Sequence, residues 1–457
     1  MGQDGAMENL TQLRALGLFD ARAPRYTSYP PATAFTRDAE AGFQAQALAA
    51  LDPAVPVSVY VHIPFCERLC WFCACRTQGT TSLSPVVAYL DTLEAELALM
   101  AQVLPQGLRM ARLHWGGGTP TILAPEMIRR LAGSIMETIA PTDDLDFSVE
   151  IDPTMVDADK IAALAETGMT RASIGIQDFA PEVQAAIGRE QSLETTRTCV
   201  DQLRQAGVGS LNADLVYGLP HQTEERIAAS LDHVLDLAPD RIALFGYAHV
   251  PHMSPRQKLI DETALADGEG RHALARLAAD RIVASGMEVI GIDHFARPDD
   301  GLAVAARTGR LRRNFQGYTD DVCAALIGVG ASSVSKLPQG YVQNAAATPA
   351  YAQRIKAGEL AGARGHRHGG EDLMRARAIE MLMCEFALDL EELERDFGSD
   401  VSALDAVHAQ VLERFGSVVV REGRRIVILP EGHAVTRMIA QAYDAYGHVE
   451  AKYSKAS

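Results

Sequence analysis

The chain has 457 residues, 47% of them apolar, and its 59 acidic against 42 basic side chains give a formal net charge of -17. That length suits a large barrel-sized domain plus a smaller one, and the apolar share is that of a globular protein. The acidic balance excludes general nucleic-acid binding, and no basic start followed by an apolar core and no apolar run of membrane-spanning length occurs, so the expectation is a cytoplasmic protein without a membrane span.

Residues 1–55 read as an arm: a short helical pattern, a Pro-rich turn region around RAPRYTSYPPATAF, and a second helix near AGFQAQALAALD. From residue 57, strands and helices alternate. Strand-like runs fall at 57–63, 113–117, 147–152, 172–177, 210–218 and 241–247, with helical patterns at 84–104, 125–139, 157–167, 192–206 and 223–237 between them. Six strands with intervening helices imply a parallel sheet in right-handed crossovers, hence an α/β barrel, open or closed. Chemistry in such folds collects at the C-terminal ends of the strands. Beyond residue 250 the spacing predicts a helix near 268–285, a strand at EVIGID and a Gly-rich segment ALIGVGASSVS. The Gly- and His-rich stretch AGARGHRHGGED, 361–372, reads as a loop and a boundary, with His366 and His368 solvated. The remainder predicts a small helical, winged-helix-like domain whose ribbon SVVVREGRRIVILP turns at Glu422-Gly423. The expected division is 1–55, 56–365 and 366–457.

Four of the seven cysteines lie within ten residues, as C-x3-C-x2-C-x-C: Cys66, Cys70, Cys73 and Cys75. Thiolates gathered on one short loop are ligands for a soft metal or a cluster. A structural zinc site would pair C-x2-C with a second Cys or His pair, and none follows. Three ligands at these spacings would hold three irons of a cubane and leave the fourth open. Cys199, Cys323 and Cys384 read as small buried apolar residues.

C-x3-C-x2-C with Phe72 before the third Cys resembles the radical S-adenosylmethionine (SAM) signature. The strings YVHIPFC, HWGGGTPT, SIGIQDF, DLVYGLP, HFARPDD and NFQGYT, together with RYTSYP and Cys75, narrow the likeness to the oxygen-independent coproporphyrinogen III oxidases, over about three quarters of the chain. The resemblance implies a partial (β/α)6 TIM-like barrel of the radical SAM kind, with an N-terminal arm over the active site and a small, mainly helical C-terminal domain. It implies a 4Fe-4S cluster on Cys66, Cys70 and Cys73, and two SAM molecules. Of the candidates, Tyr60 lines the first SAM site, and Glu150 suits a cationic amine or ribose hydroxyls. Gly116, Gly117 and Gly118 offer bare backbone to a ligand. Gln177, Arg189 and Asp214, with Phe72, Gly118, Thr119, Ala248 and Val334, occupy positions implied for a second SAM. His62 and Cys75 are the catalytic candidates. For His62 a hydrogen-bonded structural role is an equal reading, and for Cys75 packing is the alternative.

The implied substrate, coproporphyrinogen III, carries four propionates, two of which become vinyl groups. Fixed cations must meet them, and Arg pairs bidentately with carboxylates. Arg25, Arg297, Arg312 and Arg313 lie in or beside matching strings; each taken singly reads as a surface charge. The family also implies reduced flavodoxin or ferredoxin as electron donor, an unidentified electron acceptor and a monomer. The alternatives are a heme chaperone or an anaerobic heme-degrading enzyme on the same scaffold; Cys75, RYTSYP and NFQGYT favour the oxidase.

Overall fold

The structure is a computed structural model that describes residues 3–447. Six parallel strands form its centre: β1 (Val57–Ile63), β2 (Arg109–Gly117), β3 (Ala140–Ile151), β4 (Arg171–Gln177), β5 (Ser210–Tyr217) and β6 (Arg241–Gly246). Further strands extend the sheet at both sides: β7 (Glu288–Ile290) and β8 (His294–Ala296), antiparallel, beyond β6, and beyond β1 first β9 (Leu326–Val329), parallel to β1, then the antiparallel β10 (Val334–Leu337), β11 (Gly340–Asn344) and β12 (Gly362–Arg367). The order is β12-β11-β10-β9-β1-β2-β3-β4-β5-β6-β8-β7, so the edges never meet and the barrel is open.

Two-residue periodicity explains which way each strand faces. On β1, Val57, Val59, Val61 and Ile63 are buried in the main apolar core, as are Phe147, Val149 and Ile151 on β3 and Ala172, Ile174 and Ile176 on β4. The intervening residues are polar, and Ser58, His114, Ser148, Glu150, Ser173 and Asp214 line a lumen of about 220 Å³. The connecting helices are cut by local signals: Asp157, Ser192 and Thr223 each accept from a backbone N–H in the first turn of the helices starting at Ala158, Leu193 and Glu224.

Residues 372–442 form helices at Asp372–Glu385, Leu390–Phe397, Asp405–Phe415 and Thr436–Ala442 around a three-stranded sheet of Ala387–Asp389, Val419–Glu422 and Arg425–Ile428. The first part of the arm belongs to this domain's core. Leu13, Leu18, Tyr26 and Tyr29 are buried with Met374, Leu382 and Tyr443.

Two local expectations change. Residues 362–367 are strand β12, not loop, and the boundary expected at 365/366 falls inside it; Gly365 lets β11 pass so close that a Cβ there would lie 1.9 Å from the Tyr341 carbonyl oxygen. His366 and His368 are correspondingly not solvated: His366 Nε2 bonds Asp372 Oδ2 at 2.7 Å, and the His368 ring stands edge-on to Tyr341. The ribbon turns at Gly423-Arg424, one residue later than expected, because Gly423 takes the positive φ of 58° that the turn requires.

Behind the C-terminal end of β1, Glu96 accepts from Tyr351, Asn344 and the Gly330 N–H. Tyr89 ties the same turn to the His62 carbonyl. Burial pushes the Glu96 carboxyl up to about 7, against the pull of those donors. The folded state thus holds this proton more tightly than the unfolded chain, whose value lies near 4.5. Its contribution to stability is full below that value and is lost as pH rises through about 7. The denaturant midpoint should therefore fall between pH 5 and pH 8 in the natural protein and fall less in Glu96→Gln.

Candidate functional site

The cysteine loop follows β1 directly and is gripped from three sides. Thr119 Oγ1 donates to Cys66 Sγ at 3.5 Å, Arg189 Nη1 to Cys70 Sγ at 3.5 Å, and the Cys75 backbone N–H to Cys73 Sγ at 3.4 Å. Each sulfur of the C-x3-C-x2-C set therefore has a hydrogen-bond donor, and no cysteine is paired in a disulfide. Three adjacent thiols with donors aimed at the sulfurs fit a cluster, whose potential such donors tune. The Cys73 thiol is pulled down to about 6, first by the Cys75 thiol and then, against burial, by the Cys75 N–H, Arg256 and Arg189. Burial pushes Cys66 up to about 11. Cys75 itself is exposed.

Across from the loop lies the glycine turn after β2. Gly118 N–H donates to the Ile63 carbonyl and Thr119 N–H to the Phe65 carbonyl, both at 2.8 Å. A Cβ on Gly118 would stand 2.5 Å from the Phe65 oxygen, so only glycine fits between the turn and the cysteine loop. Gly117, at φ 110°, donates its N–H to Glu150 Oε2 at 3.1 Å. Glu150 lines the lumen, with His114 Nε2 3.4 Å from Oε1. Burial pushes its carboxyl up, but His114 and the Gly117 N–H outweigh that and hold it below the usual range. An ionised carboxylate beside a side-chain-free shelf can bind an ammonium or hydroxyl groups.

His62 is placed for support. Its Nε2 lies 3.2 Å from the Arg76 carbonyl, which only accepts, so Nε2 carries the proton and Nδ1 accepts from the Tyr60 hydroxyl at 2.9 Å. Burial lowers its pKa, which keeps the ring neutral. The imidazole thereby ties β1 to the residue after Cys75. Tyr60 also stacks on His114, with ring centroids 5.7 Å apart.

Gln177 and Arg189 meet under the loop. Gln177 ends β4 at φ 70°, and Arg189 reaches Cys70, the Gly175 carbonyl at 2.8 Å and Asp152 Oδ2 at 3.1 Å. Arg189 is only 9% exposed, and its charge is compensated by Asp152 together with the cysteine sulfurs. Asp214 sits deeper in the lumen, taking hydrogen bonds from Ser173 and Asn212, and burial pushes it up to about 6. Phe72 and Val334 pack in different apolar clusters, Phe72 with Val183, Val216 and Tyr247, Val334 with Phe35 and Tyr341. Ala248 is joined to the cysteine loop by Gln257, whose Nε2 donates to both the Ala248 and the Phe72 carbonyls, at 3.0 and 2.7 Å. Sequence reading missed Gln257, Ser254 and Arg256, which clamp the loop's carbonyls from about 180 residues away, and the partnership of Asp152 with Arg189. No local pattern marks them.

Of the arginines singled out in the sequence, Arg25 and Arg313 line one cavity beside the end of β6. Arg297 pairs with Asp299 at the surface, and Arg312 turns to the Gly309 and Leu311 carbonyls; neither lines that cavity.

A family model described as the radical SAM superfamily matches residues 60–234. An oxygen-independent coproporphyrinogen III oxidase of Cereibacter sphaeroides is 60% identical over 99% of this chain and 100% of its own. One from Paracoccus denitrificans is 51% identical over 98% of this chain and all of its own. The solved coproporphyrinogen III oxidase of Escherichia coli, described as a radical SAM enzyme, superposes with a TM-score of 0.88 at 37% identity, covering 92% of this chain and 97% of that one. The three-thiol loop, the glycine shelf and these end-to-end matches agree, and the chain belongs to the oxygen-independent coproporphyrinogen III oxidases of the radical SAM superfamily.

Proposed function

We propose that the chain catalyses the oxygen-independent oxidative decarboxylation of coproporphyrinogen III, in which two propionates become vinyl groups and protoporphyrinogen IX results. The observation that carries this reading is the Cys66, Cys70 and Cys73 triplet beside the Gly116–Gly118 shelf, in a chain matched end to end by relatives named for that activity. A heme chaperone or a heme-degrading enzyme is not favoured by those relatives.

When bound, a 4Fe-4S cluster and SAM supply one-electron cleavage of the sulfonium and hence a carbon radical at the strand ends. The residues of this chain bind, orient and shield. Cys66, Cys70 and Cys73 hold the cluster, and Thr119, Arg189 and the Cys75 N–H donate to its sulfur ligands. Glu150 takes the amino group or ribose of SAM, with Gly117 and Gly118 giving backbone contacts and Tyr60 the side wall. His62 is a positioning residue: its N–H fixes the Arg76 carbonyl and so the end of the cysteine loop.

A second SAM would lie against Gln177, Arg189 and Asp214, with Phe72, Thr119, Ala248 and Val334 around it. The support for it is that Arg189 and Gln177 converge under the same loop. Glu67, Arg68 and Cys75 on the outer side of the loop are exposed, which suits an external one-electron donor such as reduced flavodoxin or ferredoxin. A separate external acceptor takes the electron left after each CO2 departs. Seven unpaired cysteines suit a reducing compartment, the cytoplasm, and among the described residues no helix is long and apolar enough to cross a membrane.

The test is anaerobic incubation of the iron- and sulfide-reconstituted protein with SAM, reductant, cell extract and coproporphyrinogen III, read by mass spectrometry. Loss of two CO2 per tetrapyrrole with formation of 5'-deoxyadenosine is expected. Deoxyadenosine without decarboxylation, where an established oxidase works, would reject the reading.

A further inference from the structure

Strand β12 runs out into a short string that the reaction does not use, His366-Arg367-His368-Gly369-Gly370-Glu371-Asp372. His366 pairs in register with Tyr341, and the His368 N–H carries the ladder on by donating to the Gln339 carbonyl at 2.9 Å. Residues two apart in extended backbone share a face, so both imidazoles stand on one side of the strand. Gly369 and Gly370, the latter at φ 51°, then turn the chain back. The Asp372 N–H closes this turn on the Gly369 carbonyl at 3.1 Å, and the Gly369 N–H donates to Asp372 Oδ2 at 3.0 Å. Asp372, the first residue of the helix Asp372–Glu385, is thereby set against the two rings.

The turn thus gathers three ligating groups. One ring nitrogen of His366, one of His368 and one oxygen of Asp372 all lie within 4.8 Å of one another. His366 Nε2 and Asp372 Oδ2 are 2.7 Å apart, and the two imidazole centroids 6.1 Å apart. Donors at about 2.0–2.1 Å from a tetrahedral zinc ion stand about 3.3 Å from one another, a spacing inside that range. Asp372 is 5% exposed, and the Tyr446 hydroxyl donates to its other oxygen, Oδ1, at 2.8 Å. Metal sites orient their carboxylate ligands with hydrogen bonds of this kind.

Hydrogen bonding within the set leaves one group over. His366 and Asp372 satisfy each other, but His368 Nδ1 is buried and has no hydrogen-bond partner among the described residues. Its ring meets only the edges of other rings in the contacts it makes, Tyr341 and His366. A buried imidazole nitrogen without a partner is costly, and a cation held among the three groups would give that ring one.

We propose that His366, His368 and Asp372 form a binding site for a divalent transition-metal ion of the zinc class, which ties the barrel to the C-terminal domain. Two imidazoles and a carboxylate suit zinc, whereas magnesium and calcium take oxygen ligands. The ion replaces the proton shared by His366 and Asp372, which leaves to solvent, and water completes the coordination. The site lies at a junction: β12 is the edge of the barrel sheet, Asp372 opens the C-terminal domain, and the Tyr446 ring meets Tyr29 of the arm edge-on at 5.8 Å. It does not depend on the reaction proposed above.

The test is anaerobic equilibrium dialysis of the full-length, cluster-reconstituted protein against zinc chloride, with zinc, iron and sulfide measured per chain. His368→Phe keeps a ring beside Tyr341 and removes the ligand. His233→Gln is the control, removing an exposed histidine from the helix Glu224–Asp236. Zinc displaces residual ferrous ion from such a site, since it stands above iron in affinity. X-ray absorption at the zinc edge separates nitrogen and oxygen neighbours, at about 2.0–2.2 Å, from thiolates at about 2.3 Å. The natural protein and the control should take up one zinc per chain, with two imidazoles and no sulfur around it and no loss of iron or sulfide. Affinity should fall at least about 10- to 100-fold in His368→Phe, because losing merely the supporting partner of a ligand already costs that much. Absence of a saturable zinc at one per chain, sulfur among its neighbours, or equal affinity in His368→Phe would overturn the proposal. If His368→Phe is unstable, the stoichiometry and the zinc-edge spectrum of the natural protein decide the matter.

Discussion

Cys70→Ala is expected to yield a folded protein that retains no cluster and forms no 5'-deoxyadenosine above background, whereas Cys75→Ala keeps the cluster. The two thiols lie five residues apart on one loop, so the contrast depends on what each one faces. Cys70 points inward, 9% exposed, and receives Arg189 Nη1 on its sulfur. Removing it leaves two of three ligands and strands a buried guanidinium whose compensation then rests on Asp152. Cys75 is exposed, and its contribution to Cys73 comes partly through its backbone N–H, which alanine keeps. Iron and sulfide content after anaerobic reconstitution, beside deoxyadenosine yield, separates the two variants. Full cluster content in Cys70→Ala would contradict the ligand assignment.

The other large effect concerns one hydrogen-to-methyl change, Gly118→Ala. The added Cβ would meet the Phe65 oxygen at 2.5 Å, the Phe65 nitrogen at 2.8 Å and the Ile63 oxygen at 2.9 Å, all of them backbone atoms with no side chain to swing aside. The turn and the cysteine loop would have to separate, breaking the Gly118 to Ile63 and Thr119 to Phe65 bonds and drawing Thr119 off Cys66. A displacement of about 1 Å between catalytic parts costs on the order of 10²-fold in rate, and that is the expected loss in SAM cleavage. The apolar core does not involve Gly118, so the melting temperature should change far less than the rate does. Near-natural cleavage would show that the two loops move independently.

How much of this was legible in the sequence depends on the distance over which each feature is determined. The six parallel strands were readable because apolar residues alternate with polar ones in runs of β-branched residues, and the chain cuts them with capping residues such as Ser192 and Thr223. The cysteine spacing was readable because all the ligands lie on one loop. Residues 361–372 misled because glycines that usually mark loops here permit a close strand crossing at Gly365. Arg271 and Arg437, which line the same cavity as Arg25 and Arg313, carried no signal. They stand in ordinary helices, and only packing of the C-terminal domain against the barrel brings them to Arg313. For His62, sequence left catalysis and structure as equal readings, and only the Arg76 carbonyl at 3.2 Å gives the ring a definite task.

The most direct measurement repeats the anaerobic assay with coproporphyrinogen III deuterated at the propionate β-carbons and follows the label into 5'-deoxyadenosine. The natural protein is expected to release CO2 and to transfer deuterium into 5'-deoxyadenosine, and Cys70→Ala to do neither. Decarboxylation with unlabelled deoxyadenosine, or label transfer by a protein lacking Cys70, would contradict that expectation.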